Sequence, residues 1–360
     1  PPPPPPTPTP TLPPTPPHPP AAPRPATRGR STHVRLAWML AALAVVAVLM
    51  ILSTMIGSRN VGLDDVLAAY GGSAAGFDQA AVAKRIPRTL LAVCVGAALG
   101  ISGAVMQGVT RNPLADPGIL GVNTGASLAV VIGIAFFGLS TADGYIWFAI
   151  VGATLTAVFV YAVGSLGRQG ATPLKLALAG AATAAALSSF ISAVVLPRGD
   201  IADLARDWQI GGVGGVTFDS VTLILPFLIV GLLISVYSAP GLNALALGDE
   251  LAAGLGQHVG TTRMVSAAGA VLLCGAATAV AGPIGFVGLV IPHACRLLIG
   301  IDHRWLIPFS AVTGAALLTA SDILGRIIAR PAELDVGILT ALIGAPFFIA
   351  IVRRQKVRSL

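Results

Sequence analysis

Charge is what this chain has least of. Asp, Glu, Lys and Arg make up 10% of its 360 residues, while hydrophobic residues make up 55%. Ordinary soluble domains carry about 25% charged residues. So little charge excludes a lone water-soluble fold and points to a lipid-facing surface. Cysteine is scarce as well. Cys94, Cys274 and Cys295 each sit in an apolar stretch, with neither metal-ligand spacing nor an obvious pairing. They read as small core residues, and no metal site is expected. No Gly-x-x-x-x-Gly-Lys-Ser/Thr loop occurs, so the chain is not expected to bind or hydrolyse ATP, and no cofactor is expected. Mid-membrane acids, histidines and lysines are nearly missing, with only Asp322 and His293 as candidates and both toward the ends of apolar runs. That disfavours an ion-coupled secondary transporter. The runs contain no paired nucleophile and base and no metal cluster, which disfavours an intramembrane enzyme. The net charge of +7 does not cluster on a soluble face, so no nucleic-acid partner is expected.

What is present is a succession of apolar runs: 36–56, 89–109, 119–139, 145–166, 176–196, 220–238, 264–281, 284–300, 306–328 and 336–352. Several approach the ~20 residues a spanning helix needs. Backbone groups in lipid must be satisfied internally, which leaves helix as the form. The expectation is an all-α polytopic membrane protein of about ten transmembrane helices. No small-residue cleavage site follows the first run, so it reads as a span and not as a removable signal. Sixteen of the 28 prolines fall between Pro1 and Pro25. Residues 1–35 therefore read as a disordered proline-rich tail ending in basic residues, or alternatively as a proline-rich docking motif. Ten spans put both ends on one side, which then holds 14 Lys/Arg against eight opposite, and four loop acids against ten. The positive-inside rule places both termini in the cytoplasm.

Six segments carry chemistry. Arg85-Ile86-Pro87-Arg88 closes the first external loop, just before the second span. Its arginines serve either as interfacial anchors or as forks for a partner's carboxylates. Gly96, Gly100 and Gly103 let helices approach closely, as in many membrane bundles. Asn112, Pro113, Asp116, Pro117 and Gly118 form a tight connecting turn. Leu247, Gly248, Asp249, Glu250, Leu251, Leu255 and Gly256 form a short amphipathic helix within the 242–260 loop, its acids at the helix N-terminus and Gly256 placed to end it. Such a helix lies on the membrane or fits a groove on another protein. Gly285, Gly288 and Pro292 interrupt an apolar run, as breaks that line transport pathways often do. His293 beside Pro292 reads as structural. Asp322 sits four residues before Arg326, so the two pair on one helix face near its outer end.

In this order the pieces resemble the permease family of ABC importers for iron chelates and vitamin B12, the FecCD type. The resemblance rests on Arg85-Ile86-Pro87-Arg88-Thr89-Leu90, Gly100-Ile101-Ser102-Gly103-Ala104-Val105-Met106-Gln107 and the 112–121 segment. Leu245-Ala246-Leu247-Gly248, the 285–293 segment, Asp302-His303-Arg304 and Gly344-Ala345-Pro346 complete it. It covers residues 36–355 and leaves out the tail. It implies the type II importer permease fold in a bacterial cytoplasmic membrane, with ten spans per subunit and a homo- or heterodimer of permeases. A cytoplasmic ATPase dimer and an extracytoplasmic substrate-binding protein would complete the assembly. Under it Arg85, Arg88 and Arg326 look like docking residues for the binding protein, and Leu245–Gly256 looks like the helix that couples to the ATPase. The cargo it favours is a ferric siderophore, with vitamin B12 or haem as alternatives.

Overall fold

The computed structural model describes residues 31–57, 61–62, 64, 76–166 and 172–356; the proline-rich tail, 1–30, lies outside them. Among the described residues all regular structure is helical. The first apolar run folds as α1, Thr32–Met55, so the last residues assigned to the tail are already helical. The chain continues through α2 (Phe77–Thr110), a single-turn 3-10 helix at Pro117–Leu120, α3 (Val122–Phe137), α4 (Ala142–Gly164) and α5 (Pro173–Val195). Then follow α6 (Gly199–Ile210), α7 (Phe218–Leu245), α8 (Asp249–Gly254), α9 (Val259–Ala281), α10 (Val287–Ile299), α11 (His303–Ile328) and α12 (Val336–Lys356). Seven of these are long and apolar enough to cross a bilayer, and α3, α10 and α12 contain shorter apolar helices. Together they match the ten apolar runs one for one.

Two departures from the sequence reading matter. Helix α2 starts at Phe77, so Arg85-Ile86-Pro87-Arg88 is helical and not the end of a loop. Pro87 lacks the N–H that would bond back one turn, yet α2, 34 residues in all, continues through it. Likewise α7 passes through Pro226 and Pro240. The second departure is α6, a helix between the apolar runs 176–196 and 220–238 to which no element had been assigned. Ile201 and Ala205, four residues apart, are its buried positions, and Asp200 sits in its first turn, where the dipole favours an acid.

Helix α2 is the axis of the bundle and packs against α11, α9, α10 and α7. Its glycines permit the contact. A Cβ on Gly96 would lie 2.4 Å from the Gly314 carbonyl oxygen, and one on Gly103 would lie 1.9 Å from that of Gly288. Backbone therefore rests on backbone, as small-residue packing in membranes requires. Helices α1 and α5 are mostly exposed, and Leu40, Val48, Leu155, Phe159, Leu178, Phe190 and Leu233 point outward. An apolar exterior of this extent belongs in lipid or against another subunit.

Candidate functional site

One end of the bundle gathers the three arginines singled out above. Helix α2 carries Arg85 and Arg88, α11 carries Asp322 and Arg326, and Glu333 stands in the loop after α11. Arg88 donates through Nε and Nη2 to Asp322 Oδ1 at 2.9 and 2.7 Å, and through Nη1 to Glu333 Oε2 at 2.5 Å. Arg326 donates to the other oxygen of Asp322 at 2.6 Å, so the expected i, i+4 pair is present and Asp322 bridges two guanidinium groups. Arg326 also reaches Ser53 Oγ at 2.6 Å and the carbonyls of Ser53 and Ile56 at 2.8 and 2.7 Å. Arg85 donates to the carbonyls of Thr54 and Met55 at 3.0 and 3.1 Å.

Those carbonyls close α1, where a helix leaves acceptors without intrahelical donors and carries a partial negative charge. Two arginines from other helices cap it, and a Ser53–Thr89 hydroxyl contact of 2.7 Å adds a third tie. The cluster is mostly interior. Asp322 is 0% exposed, Arg326 1% and Arg85 9%, while Glu333 keeps 41% of its side chain in solvent. Arg88, with 14%, is the arginine that links the buried part to the surface.

Beside this cluster, Tyr145, Asp207, Trp208, Gly212, Ser220 and Asp335 line a cleft of about 440 Å³. Burial pushes the Asp335 carboxyl above the usual range; nearby Arg88 opposes that, and Asp207 and Glu333 reinforce it.

In the core, the 112–121 turn meets the broken segment before α10. Asn112 Oδ1 accepts from the Leu114 N–H at 3.0 Å, and Asp116 Oδ1 accepts from the Gly118 N–H at 2.8 Å, with Pro117 opening the single turn of helix. A Cβ on Gly288 would lie 2.7 Å from Asp116 Oδ2, so the two motifs pack together through that glycine. Gly285 precedes Phe286, which adopts φ 67°, an uncommon conformation for a side chain of that size. Pro292 lies inside α10, and His293 meets the Phe347 ring edge-on at 6.0 Å. Gln107 of α2 donates to the carbonyls of Gly288 and Leu289 and accepts from Arg296.

At the opposite end of the bundle, α8 lies between two glycines of positive φ, Gly248 (110°) and Gly256 (82°). Leu247, Leu251 and Leu255 are 59%, 62% and 64% exposed and form one stripe, while Ala252 on the opposite side is fully buried. Asp249 turns back to the bundle and pairs with Arg111 and Arg263. Nearby, Asp302 caps α11 by accepting from the Arg304 N–H, accepts from Asn243 at 2.7 Å and pairs with Arg35 at 3.6 Å. Partial burial raises its carboxyl, but these hydrogen bonds and the Arg35 and Arg304 charges bring it below the usual range.

The structure thus brings the arginines to one end and the leucine helix to the other. Ser53, Glu333 and Arg296 enter these sites without having been foreseen, and nothing local in the sequence marks them; Thr89 and Gln107 lie in the motifs quoted above but had been given no role there.

Residues 45–354 match the FecCD transport family. The chain is 44% identical over 270 residues to a probable siderophore transport system permease of Bacillus subtilis, YfiZ, spanning 75% of this chain and 81% of that one. It is 42% identical to the ferric enterobactin transport system permease FepD of Escherichia coli, over 84% of this chain and 91% of that one. A solved inward-facing transporter described as of metal-chelate ABC type superposes with a TM-score of 0.78 at 27% identity. The superposition covers 89% of this chain and 99% of the other.

Proposed function

The chain belongs to the FecCD transport family, and on that premise we propose that it is the membrane-spanning permease of an ATP-driven importer for an iron chelate of the siderophore class. It takes the chelate from a substrate-binding protein outside the cytoplasmic membrane and releases it inside by alternating access. The observation that carries the reading is the match over 45–354, which takes in the end of α1 and all the later apolar helices. Relatives named for siderophore and ferric enterobactin transport support the cargo class.

The chemistry divides accordingly. Hydrolysis of ATP belongs to partner ATPases. Their closure moves the leucine-striped α8, which the exposure of Leu247, Leu251 and Leu255 fits to an apolar groove. Gly248, Asp249, Glu250 and Gly256 shape and orient that helix. Two permease subunits, alike or related, enclose the path, and the mostly exposed α1 and α5 leave ample apolar surface for pairing and for lipid. Both termini face the cytoplasm, a reading supported by the Lys/Arg bias.

Docking of the binding protein is assigned to Arg85, Arg88 and Arg326. Arg88 reaches the surface beside Glu333 and is the member a partner's carboxylate can approach, while Arg85 and Arg326 hold the end of α1 and add to the local potential.

A strain lacking its own permease tests the function. Expressed with its ATPase and binding protein, the chain should restore growth on a ferric trihydroxamate as sole iron source. Absence of growth with the complex assembled in the membrane contradicts the assigned cargo.

A further inference from the structure

Helix α8 has six residues, too few to hold a direction by its own hydrogen bonds. Its buried face offers one small side chain, Ala252, to the bundle. A push on the leucine stripe would therefore turn or slide α8 unless something else fixed it. Asp249 is the residue placed to do so. Its Oδ1 and Oδ2 accept from Arg263 Nη2 at 2.9 and 3.1 Å, and its Oδ1 lies 3.1 Å from Arg111 Nη2. Arg263 stands in the second turn of α9, and Arg111 is the residue that closes α2, in a left-handed conformation at φ 51°. One carboxylate thus ties α8 to two different spanning helices. Glu250, its neighbour in sequence, forms no ion pair among the described residues.

What lies beyond Arg111 gives the tie a direction. From Arg111, α2 runs back through Gly103, Gly100 and Gly96, each set against the backbone of α10 or α11, to Arg88 at the outer cluster. At 1.5 Å per residue that is a rod of roughly 35 Å. Its inner end carries the clamp and its outer end carries the docking arginine.

Resting on the importer reading above, we propose that Asp249 is a positioning residue for transport, locking α8 to α2 and α9 through Arg111 and Arg263. Motion of the ATPases then reaches the pathway helices instead of being lost in the loop. Its work is transmission, not attachment, which remains with the leucines.

The test uses the full complex of permease, ATPase and binding protein in lipid vesicles, with a radio-iron-labelled ferric trihydroxamate as probe. Asp249→Asn keeps the size and one acceptor oxygen but removes the charge that holds two arginines. It should leave ATPase co-purification intact and lower iron taken up per ATP hydrolysed by about threefold to tenfold, the scale two partly exposed ion pairs set. Arg263→Gln should lower the same ratio. The double variant should be no worse than Asp249→Asn alone, since both changes break one link. Asp249→Glu should recover part of the loss.

An unchanged ratio in Asp249→Asn overturns the proposal, as does loss of ATPase attachment or full additivity in the double variant. Should Asp249→Asn fail to fold, Arg263→Gln and Arg111→Gln carry the same comparison. Leu251→Glu separates the levels. If it leaves the ATPase attached, the coupling role of α8 itself is wrong. If it detaches the ATPase while Asp249→Asn changes nothing, only the clamp is wrong.

Discussion

Replacing Asp322 by alanine is the most severe single change the outer cluster offers. Asp322 is fully buried and its two oxygens serve two guanidinium groups, Arg88 on α2 and Arg326 on α11. Breaking a buried ion pair from one side costs about 3–5 kcal/mol, because the remaining charge stays without compensation. Here the remaining charges are not bare. Arg88 keeps Glu333, and Arg326 keeps the Ser53 hydroxyl and the carbonyls of Ser53 and Ile56. The lower end applies, about 3 kcal/mol. The effect should spread to α1, since Arg326 caps its end. Arg326→Met should cost a similar amount from the other side, stranding the α1 carbonyls. The double variant Asp322→Ala/Arg326→Met should cost less than the sum of the two, because the pair is removed together. Cys274 and Cys295, each 1% exposed, supply the assay. Both become reactive to a thiol dye only when the bundle opens, so their labelling during heating in detergent follows unfolding. A loss below about 1 kcal/mol for Asp322→Ala would refute the reasoning, because that is the scale of an exposed pair.

Two further outcomes follow from neighbouring geometry. Glu333 occupies the outward-facing side of Arg88, where a partner's carboxylate would sit. Glu333→Gln should therefore tighten binding-protein docking several-fold at low salt, a gain lost in Arg88→Gln; weaker or unchanged affinity in titrations would contradict it. Asp302 caps α11 with a carboxyl held below its usual range. Its contribution is therefore present above the ordinary carboxylate value and lost as pH falls through the lowered one. Asp302→Ala should destabilise by about 1 kcal/mol at neutral pH. The gap to the native chain should close in denaturation series taken toward pH 3, and a gap that widens on acidification would contradict the assignment.

How much of this was legible in the sequence depends on the range of the cause. The ten helices were readable because lipid imposes a local rule, an apolar run of sufficient length. The leucine helix was readable because Leu251 and Leu255 recur at one helical spacing between Gly248 and Gly256, with Leu247 one turn earlier. The Asp322–Arg326 pair was readable for the same reason. The start of α2 was not, because Ala80–Arg85 is amphipathic, Pro87 reads as a break, and the helix extends beyond its apolar run. Helix α6 was hidden among charged residues, although Ile201, Ala205 and Trp208 carried its period. The partners of the arginines were least accessible. Arg88 and Asp322 are 234 residues apart, and Arg326 and Ser53 273. Only the packing of α2, α1 and α11 brings them together. Arg85 and Arg326 are held inside by the end of α1, and sequence spacing carries no record of that contact.

The central claim is transport driven by a partner's ATP hydrolysis, and uptake in sealed vesicles addresses it most directly. The permease, its ATPase and the binding protein are reconstituted with ATP on the ATPase side, and a labelled ferric trihydroxamate is supplied on the other. Accumulation should require ATP, stop when the ATPase is inactivated, and persist when a protonophore collapses the proton gradient. Accumulation without ATP that is driven by an imposed proton gradient and abolished by the protonophore would contradict the account and return the chain to the ion-coupled class.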